Sequence, residues 1–190
     1  KTYYIKWIPN EYAVTLDTNG GTINSENVTS YTYGIGATLP TDVTKEGYTF
    51  AGWYNNEELT GEAITTIGTT ETGNKEYFAK WTQNQYTVTF KDGENTVKTE
   101  TVNYGSSATA PELTKAGYTL SWDKNFSNVT TDLTVNAVWT ANTSTAYKVE
   151  HYKQNTTLDG YELAETENLT GTTDTLVTAI AKTYTGFTEN

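Results

Sequence analysis

The chain has 190 residues with no cysteine and no methionine, and its 12 basic and 23 acidic residues give a formal net charge of −11 at pH 7. The lack of cysteine excludes disulfides, thiolate metal sites and a thiol nucleophile. The acidic balance argues against nucleic acid and anionic membrane surfaces as partners, and no apolar run approaches the roughly 18 residues that a membrane-spanning helix needs.

The chain begins with a strand-like segment that has no repeat body before it. Thr2–Trp7 is similar to Glu76–Trp81, the last strand of a complete repeat further along the chain. We therefore predict that residues 1–8 are the closing strand of an upstream repeat, and that the sequence is a fragment of a longer protein.

Two similar repeats and a looser third one make up the rest of the chain. Self-similarity on this scale indicates an array of small domains. We predict a first repeat at residues 9–82, a second at 83–140, and a third at 141–190 that stops before its last strand. The matching segments are Tyr12–Leu16 with Tyr86–Phe90, Thr44–Trp53 with Thr114–Trp122, and Tyr77–Trp81 with Val135–Trp139.

Each repeat is predicted to open with a β-hairpin. Apolar residues alternate with threonine or charge in Tyr12–Leu16 and its counterparts, which is typical of strands. Asp17–Gly21 and Lys91–Asn95 supply the residues of tight turns. A short helical turn over Ser106–Gly117 and a capped helix over Thr175–Lys182 would follow. The predicted fold class is α+β and rich in β-structure.

Short linkers predict an elongated arrangement of these repeats. Ile8–Glu11 and Thr82–Gln85 have four residues each, and Thr140–Ala146 has seven. None is rich enough in glycine and serine to act as a free coil. We expect little freedom between the first two repeats and more at the third.

The aromatic residues divide into a repeated set and an unrepeated set. Those that recur in register are expected to be largely buried, and those outside it are candidates for a sugar-stacking surface. The repeated set is Trp53, Trp81, Trp122 and Trp139, with Tyr48 and Tyr118 beside them. The unrepeated set is Tyr3, Tyr31, Tyr54 and Tyr161.

Other candidate chemistry favours ordinary structural explanations. The lone His151 lacks the partners of a triad or zinc site, so we interpret it as a structural histidine that faces a sheet. Asp17–Gly20 has a faint likeness to a calcium loop, but a hairpin turn explains every residue. Carboxylates cluster at Glu57/Glu58 and at Glu162/Glu165/Glu167, where a solvated acidic face is favoured over a glycosidase pair.

The first repeat resembles the Listeria–Bacteroides repeat, also called the internalin B-repeat. The second is similar but degenerate, since Lys91–Gly93 replaces the Asn-Gly-Gly turn and Ser121 stands where a glycine should precede Trp122. The third, from Tyr147 onward, resembles a mucin-binding-protein-like repeat. The motif in the first repeat consists of Asn19–Gly21, Tyr33-Gly34, Pro40, Gly47–Tyr54 and Ala79–Trp81.

The resemblance implies a β-grasp, ubiquitin-like fold in each repeat and a place in large Gram-positive cell-surface proteins, often anchored to the cell wall. It supplies no catalytic residues and no cofactor. We therefore expect a non-enzymatic stalk or spacer that takes part in adhesion. The alternative is a module that binds carbohydrate or mucin-type glycoprotein.

The unmatched ends predict an exchange of strands. Residues 1–7 would pair with the third repeat of another molecule and complete its sheet head to tail. The alternative is that Lys1–Trp7 lies against the first repeat of its own chain.

Overall fold

The computed structural model describes residues 1–189, in which 14 β-strands and no helix are found. The strands are β1 (Glu11–Asp17), β2 (Thr22–Ile23), β3 (Ser30–Thr32), β4 (Ala37–Thr38), β5 (Val43–Thr44), β6 (Tyr48–Tyr54), β7 (Thr66–Ile67), β8 (Lys75–Gln83), β9 (Gln85–Asp92), β10 (Asn95–Asn103), β11 (Tyr118–Trp122), β12 (Leu133–Ala141), β13 (Thr145–Gln154) and β14 (Tyr161–Gly171).

The predicted α+β class with β-grasp repeats is wrong, because the chain is 47% strand and 0% helical over the part described. Neither predicted helical segment forms. The first contains Pro111, and the N–H of Ala108 donates across the fold to the Phe126 carbonyl at 2.9 Å. In the second, Leu176 and Ile180 are 97% and 80% exposed, so a helix there would bury no apolar stripe. Short helices without such packing are marginal in water.

The chain folds into two compact units, each made of three stretches of sequence. Unit 1 contains residues 1–88, 100–108 and 126–133. Unit 2 contains residues 89–99, 109–125 and the chain from Thr134 onward. The repeat boundaries proposed from the sequence stay predictions.

A four-stranded sheet in the order β3-β1-β8-β6 organises unit 1. β1 runs parallel to β8 and antiparallel to β3, and β6 is antiparallel to β8 with a bulge between Phe50 and Gly52. The predicted opening hairpin is absent from the first repeat, since β2 pairs with β5 and not with β1. Alternate side chains of this sheet form a core that includes Val14, Tyr77 and Trp53.

A second four-stranded sheet has the order β10-β9-β12-β11. Within unit 2, β13 and β14 form a long antiparallel hairpin that pairs from Thr145↔Gly171 to Gln154↔Tyr161, with a shift in register between His151 and Tyr152. The predicted hairpin of the third repeat is therefore confirmed. Leu158 takes a positive φ of 57° in its turn.

The repeated tryptophans are buried to different extents. Trp53 is 1% exposed, and its indole N–H donates to the Pro40 carbonyl at 2.7 Å. Trp81, Trp122 and Trp139 are half-buried, as are Tyr48 and Tyr118. The expectation that these residues are largely buried therefore holds fully for Trp53, and the others are buried only in part.

Residues 1–10 form no strand, and the side chains of Tyr3, Tyr4, Ile5, Trp7 and Ile8 are exposed. The alternative in which Lys1–Trp7 packs on its own first repeat is therefore wrong for this structure.

Candidate functional site

A glycine turn, a linker asparagine and a following strand join in unit 1 through consecutive backbone hydrogen bonds. The N–H of Asn84 donates to the carbonyl of Gly47 at 2.9 Å, and the N–H of Tyr104 donates to the carbonyl of Asn84 at 2.8 Å. Gly47 comes from the first repeat and Tyr104 from the second. Asn84 therefore connects the two repeats through its main chain, and we call this arrangement a glycine clasp.

Side chains reinforce the clasp on both sides. The hydroxyl of Thr49 donates to Asn84 Oδ1 at 2.7 Å, and the Tyr104 hydroxyl donates to Glu46 Oε1 at 2.6 Å. The hydrogen bond to Glu46 raises the pKa of Tyr104, and burial adds to the shift. A Cβ at Gly47 would lie within 3.0 Å of the Tyr104 ring, and the glycine has a φ of 75°. Only glycine satisfies both conditions.

Unit 2 contains a second glycine clasp with the same connections. The N–H of Asn142 donates to the carbonyl of Gly117 at 2.8 Å, and the N–H of Thr173 donates to the carbonyl of Asn142 at 2.9 Å. Thr119 donates to Asn142 Oδ1 at 2.7 Å, as Thr49 does to Asn84. Thr173 stands in place of a tyrosine, and its hydroxyl also donates to Gly117 at 2.8 Å.

A groove of about 750 Å³ lies beside the β13–β14 hairpin in unit 2. Its walls combine rings with amides, hydroxyls and charged groups. The aromatic members are Tyr152, Tyr161, Tyr184 and Phe187, and the polar members include His151, Lys153, Gln154, Asn155 and Lys182.

Ion pairs fix one wall of this groove. Lys182 Nζ lies 2.6 Å from Glu165 Oε1 and 2.8 Å from Glu167 Oε1, while Glu167 Oε2 lies 2.9 Å from His151 Nε2. Hydrogen bonds from Lys182 and then His151 lower the pKa of Glu167. The hydrogen bonds that Lys182 makes to Glu165 and then Glu167 raise the pKa of Lys182. The wall is thus held by contacts that join two carboxylates, one ammonium group and one imidazole.

The histidine, the carboxylates and the turn that the sequence offered as candidate sites make ordinary structural contacts or are exposed in this structure. His151 sits on β13 and pairs with Glu167 from the neighbouring strand, and Glu57 and Glu58 are exposed. In the turn after β1, Asp17 Oδ1 accepts the N–H of Asn19 at 2.8 Å. Residues 1–189 contain no group of three or more histidine, cysteine or carboxylate side chains that could hold a metal ion.

The four aromatic residues outside the repeat register differ in how deeply they are buried. Tyr31 and Tyr54 are buried, while Tyr3 and Tyr161 are exposed. Tyr31 donates its hydroxyl to the Gly73 carbonyl at 2.7 Å, and Lys80 lies 4.8 Å from the Tyr54 ring centre. Tyr31 and Tyr54 are therefore part of the packing of unit 1, which leaves Tyr3 and Tyr161 as the exposed candidates for sugar stacking.

The glycine clasp was not predicted from the sequence, although the sequence contains a signal for it. Trp81 is followed three residues later by Asn84, and Trp139 in the same way by Asn142. The tryptophans mark the closing strands, so the spacing places each asparagine just beyond a strand end. Because the main chain makes most of the bonds, side-chain patterns alone did not point to it.

Two segments of the chain match the model of one protein family. The profile of the Listeria-Bacteroides repeat domain matches residues 12–80 and again 86–158. The resemblance of the third repeat to a mucin-binding-protein-like repeat is not among these matches and stays a prediction. Within residues 1–189, no helix is long and apolar enough to cross a bilayer.

Two relatives come from Evansella cellulosilytica. One, named "Putative Gly-rich membrane protein", is 36% identical over 154 residues, which is 74% of this chain and 18% of that protein. The other, named "Putative membrane protein", is 38% identical over 154 residues, or 74% of this chain and 23% of that protein. The chain thus spans about a fifth of the length of these relatives.

Proposed function

Because the chain belongs to the Listeria-Bacteroides repeat domain family, we propose that it is a spacer segment of a bacterial cell-surface protein, without catalytic activity of its own. The family is a repeat-domain family typical of bacterial surface proteins and not an enzyme family. The recurrence of the glycine clasp carries the proposal. A spacer needs the same kind of joint between each pair of successive repeats, and an enzyme does not.

The clasp suits a spacer because it removes freedom at the place where an array would bend. In both copies the asparagine has its N–H, its carbonyl and its side-chain Oδ1 engaged at once. Reorienting one side of the joint would break several hydrogen bonds together, each worth about 0.5–1.5 kcal/mol net. A stiff joint would let an array of repeats extend away from a cell surface. Cell-wall anchoring and adhesion would then depend on other parts of the protein.

Backbone relaxation measured by NMR on the full chain tests the rigid joint. We expect order parameters at Asn84 and Asn142 near the value of about 0.85 for rigid backbone. Values below about 0.6 at both would describe flexible linkers and would overturn the spacer mechanism. For location, an antibody raised against the chain should label intact cells of the source bacterium. Labelling only after lysis would contradict a surface role.

A second candidate function is binding of carbohydrate or mucin-type glycoprotein in the unit 2 groove. The observation that favours it is the combination of exposed Tyr152, Tyr161 and Phe187 with the amides of Gln154 and Asn155. Sugars stack their apolar faces on aromatic rings while amides meet their hydroxyls.

A glycan array probed with the labelled chain would test the groove. Tyr161→Ala should abolish a specific signal, whereas Tyr3→Ala, which removes an even more exposed tyrosine outside the groove, should not. No binding above background, or equal binding by the Tyr161 variant, would reject this function.

A further inference from the structure

The turn after β1 contains the dipeptide Asn19-Gly20, which has a reaction of its own. The main-chain nitrogen of such a glycine can attack the side-chain carbonyl carbon of the asparagine, because glycine has no Cβ to hinder the approach. A new C–N bond closes a succinimide ring, and the amide nitrogen leaves as ammonia with the proton of the attacking nitrogen. Water then opens the ring to aspartate or isoaspartate. The sequence has no other Asn-Gly pair, so this chemistry points to Asn19.

The backbone of this turn has a conformation that opposes ring closure. Asn19 and Gly20 have φ angles of 48° and 81°, and the N–H of Gly21 donates to the Thr18 carbonyl at 3.0 Å. Positive φ at both central residues defines a type I′ turn, in which ψ of the first is about 30°. To close the ring, the Gly20 nitrogen has to come into contact with the Asn19 side-chain carbon. The peptide group between the two residues must therefore rotate out of the turn.

Hydrogen bonds hold both the side chain and the main chain of Asn19. Its Nδ2, the nitrogen that would leave as ammonia, donates to the carbonyl of the buried Ala79 on β8 at 2.8 Å. Lys45 Nζ donates to the Asn19 main-chain carbonyl, also at 2.8 Å, and this oxygen belongs to the peptide group that must rotate. The N–H of Asn19 donates to Asp17 Oδ1 at 2.8 Å. Asn19 can therefore reach the reacting geometry only after several of these bonds break.

The Trp81 side chain, from β8, fixes the same turn from another side. Its indole N–H donates to the Thr18 carbonyl at 2.8 Å, and that carbonyl also accepts the N–H of Gly21. A Cβ added at Gly21 would overlap the Trp81 ring, so the ring lies directly on the backbone of the turn. The turn and β8 must separate before Asn19 is released. The free energy of this local opening sets how often the asparagine becomes reactive.

We propose that Asn19 is a modification site that the fold keeps closed. It stays an asparagine while the turn is held on β8, and water converts it to aspartate or isoaspartate after the turn has opened. The product has a carboxylate in place of the Nδ2 donor that faced the Ala79 carbonyl. A modified turn cannot remake that hydrogen bond, so the change leaves a permanent mark of the opening in unit 1. The proposal goes beyond the spacer function and does not depend on it.

The reaction can be followed in the full chain by peptide mass spectrometry after incubation at mildly alkaline pH. Exchange of NH₂ for OH raises the mass of the peptide that contains Asn19. We expect the folded chain to react more slowly than the chain unfolded in urea at the same pH, by roughly tenfold or more, because only the open fraction reacts. Equal rates in the folded and unfolded chain, or no reaction in the unfolded chain, would overturn the proposal.

A matched pair of variants separates local opening of this turn from global unfolding. Trp81→Phe removes the N–H that donates to Thr18 and keeps an aromatic ring, so the folded variant should react roughly two- to tenfold faster, as expected for the loss of one hydrogen bond. Trp139→Phe removes the indole N–H that donates to Asp92 Oδ1 at 2.9 Å in the second repeat, and should react like the unmodified chain. Equal rates in the two variants would contradict closure by the Asn19 turn.

The effect of the modification on the fold can be measured with Asn19→Asp, which reproduces the aspartate product. The variant should unfold at a lower urea concentration than the unmodified chain, because its carboxylate faces the Ala79 carbonyl where the amide donated a hydrogen bond. Asn27→Asp makes the same change of charge at an exposed asparagine of unit 1 and should leave the urea midpoint unchanged. Equal midpoints in the two variants would show that the modified turn returns to its place, against the proposal.

Discussion

The N–H of Asn84 donates to the carbonyl of Gly47 at 2.9 Å, so a linker residue of one repeat is fixed to a turn of the repeat before it. The same bond between Asn142 and Gly117 is 2.8 Å long. Since Tyr104 covers the first glycine and Thr173 the second, the same main-chain joint is built with different side chains. Main-chain geometry is therefore the common element, and its glycines are the positions most sensitive to change.

Replacing Gly47 with alanine should destabilise unit 1. The added Cβ would fall within 3.0 Å of the Tyr104 ring, at a backbone φ of 75°. We expect a loss of about 1–3 kcal/mol, measured by urea unfolding. Gly61→Ala has only the backbone strain, with no atom within 4 Å of the new Cβ, and should cost about 1 kcal/mol. Equal losses in the two variants would show that the Tyr104 contact contributes nothing.

The side-chain bond from Thr49 to Asn84 should appear as a coupling energy. In a double-mutant cycle of Thr49→Val and Asn84→Ala, we expect the two changes to be non-additive by about 0.5–1.5 kcal/mol. Thr49→Ser keeps the hydroxyl and should keep the coupling. Strictly additive losses in the Val cycle would mean that the 2.7 Å contact has no energetic weight.

Much of this architecture could be predicted from the residues that recur at matching positions of the repeats, because that recurrence reflects which side chains are buried. The alternation in β1, β9 and β13 and the burial of Trp53 follow directly from it. The missing helices could not be predicted, since a local capping signal such as the one before Thr175–Lys182 looks the same whether or not a buried face supports the helix. The pairing of β2 with β5 could not be predicted either, because no local sequence pattern shows which distant strand a given strand will pair with.

The unit 2 ion network should make stability depend on pH on the acid side. The pKa of Glu167 is lowered in the folded protein by Lys182 and then His151, so the folded state binds fewer protons than the unfolded state as the pH falls. Its contribution is present above the ordinary glutamate pKa and is lost as the pH drops through the lowered value. The raised pKa of Lys182 acts only in the alkaline range, where its contribution is lost as the pH rises.

Urea unfolding between neutral and strongly acidic pH would measure this dependence. Glu167→Gln should flatten the acid limb, whereas Glu57→Gln, at an exposed loop position, should leave it unchanged. An unchanged acid limb in the Glu167 variant would show that the ion network does not contribute to folding.

Trp53 and Trp7 offer the sharpest contrast between a core tryptophan and an exposed one. Trp53 is 1% exposed, bonds to the Pro40 carbonyl and packs edge-on against Phe50 with ring centres 5.5 Å apart. Trp53→Ala should cost about 3–5 kcal/mol, from a cavity and an unsatisfied carbonyl. Trp7 is 89% exposed, and Trp7→Ala at low protein concentration should change stability by less than about 0.5 kcal/mol. A loss of stability from Trp7→Ala in the dilute chain would mean instead that residues 1–8 pack within their own molecule.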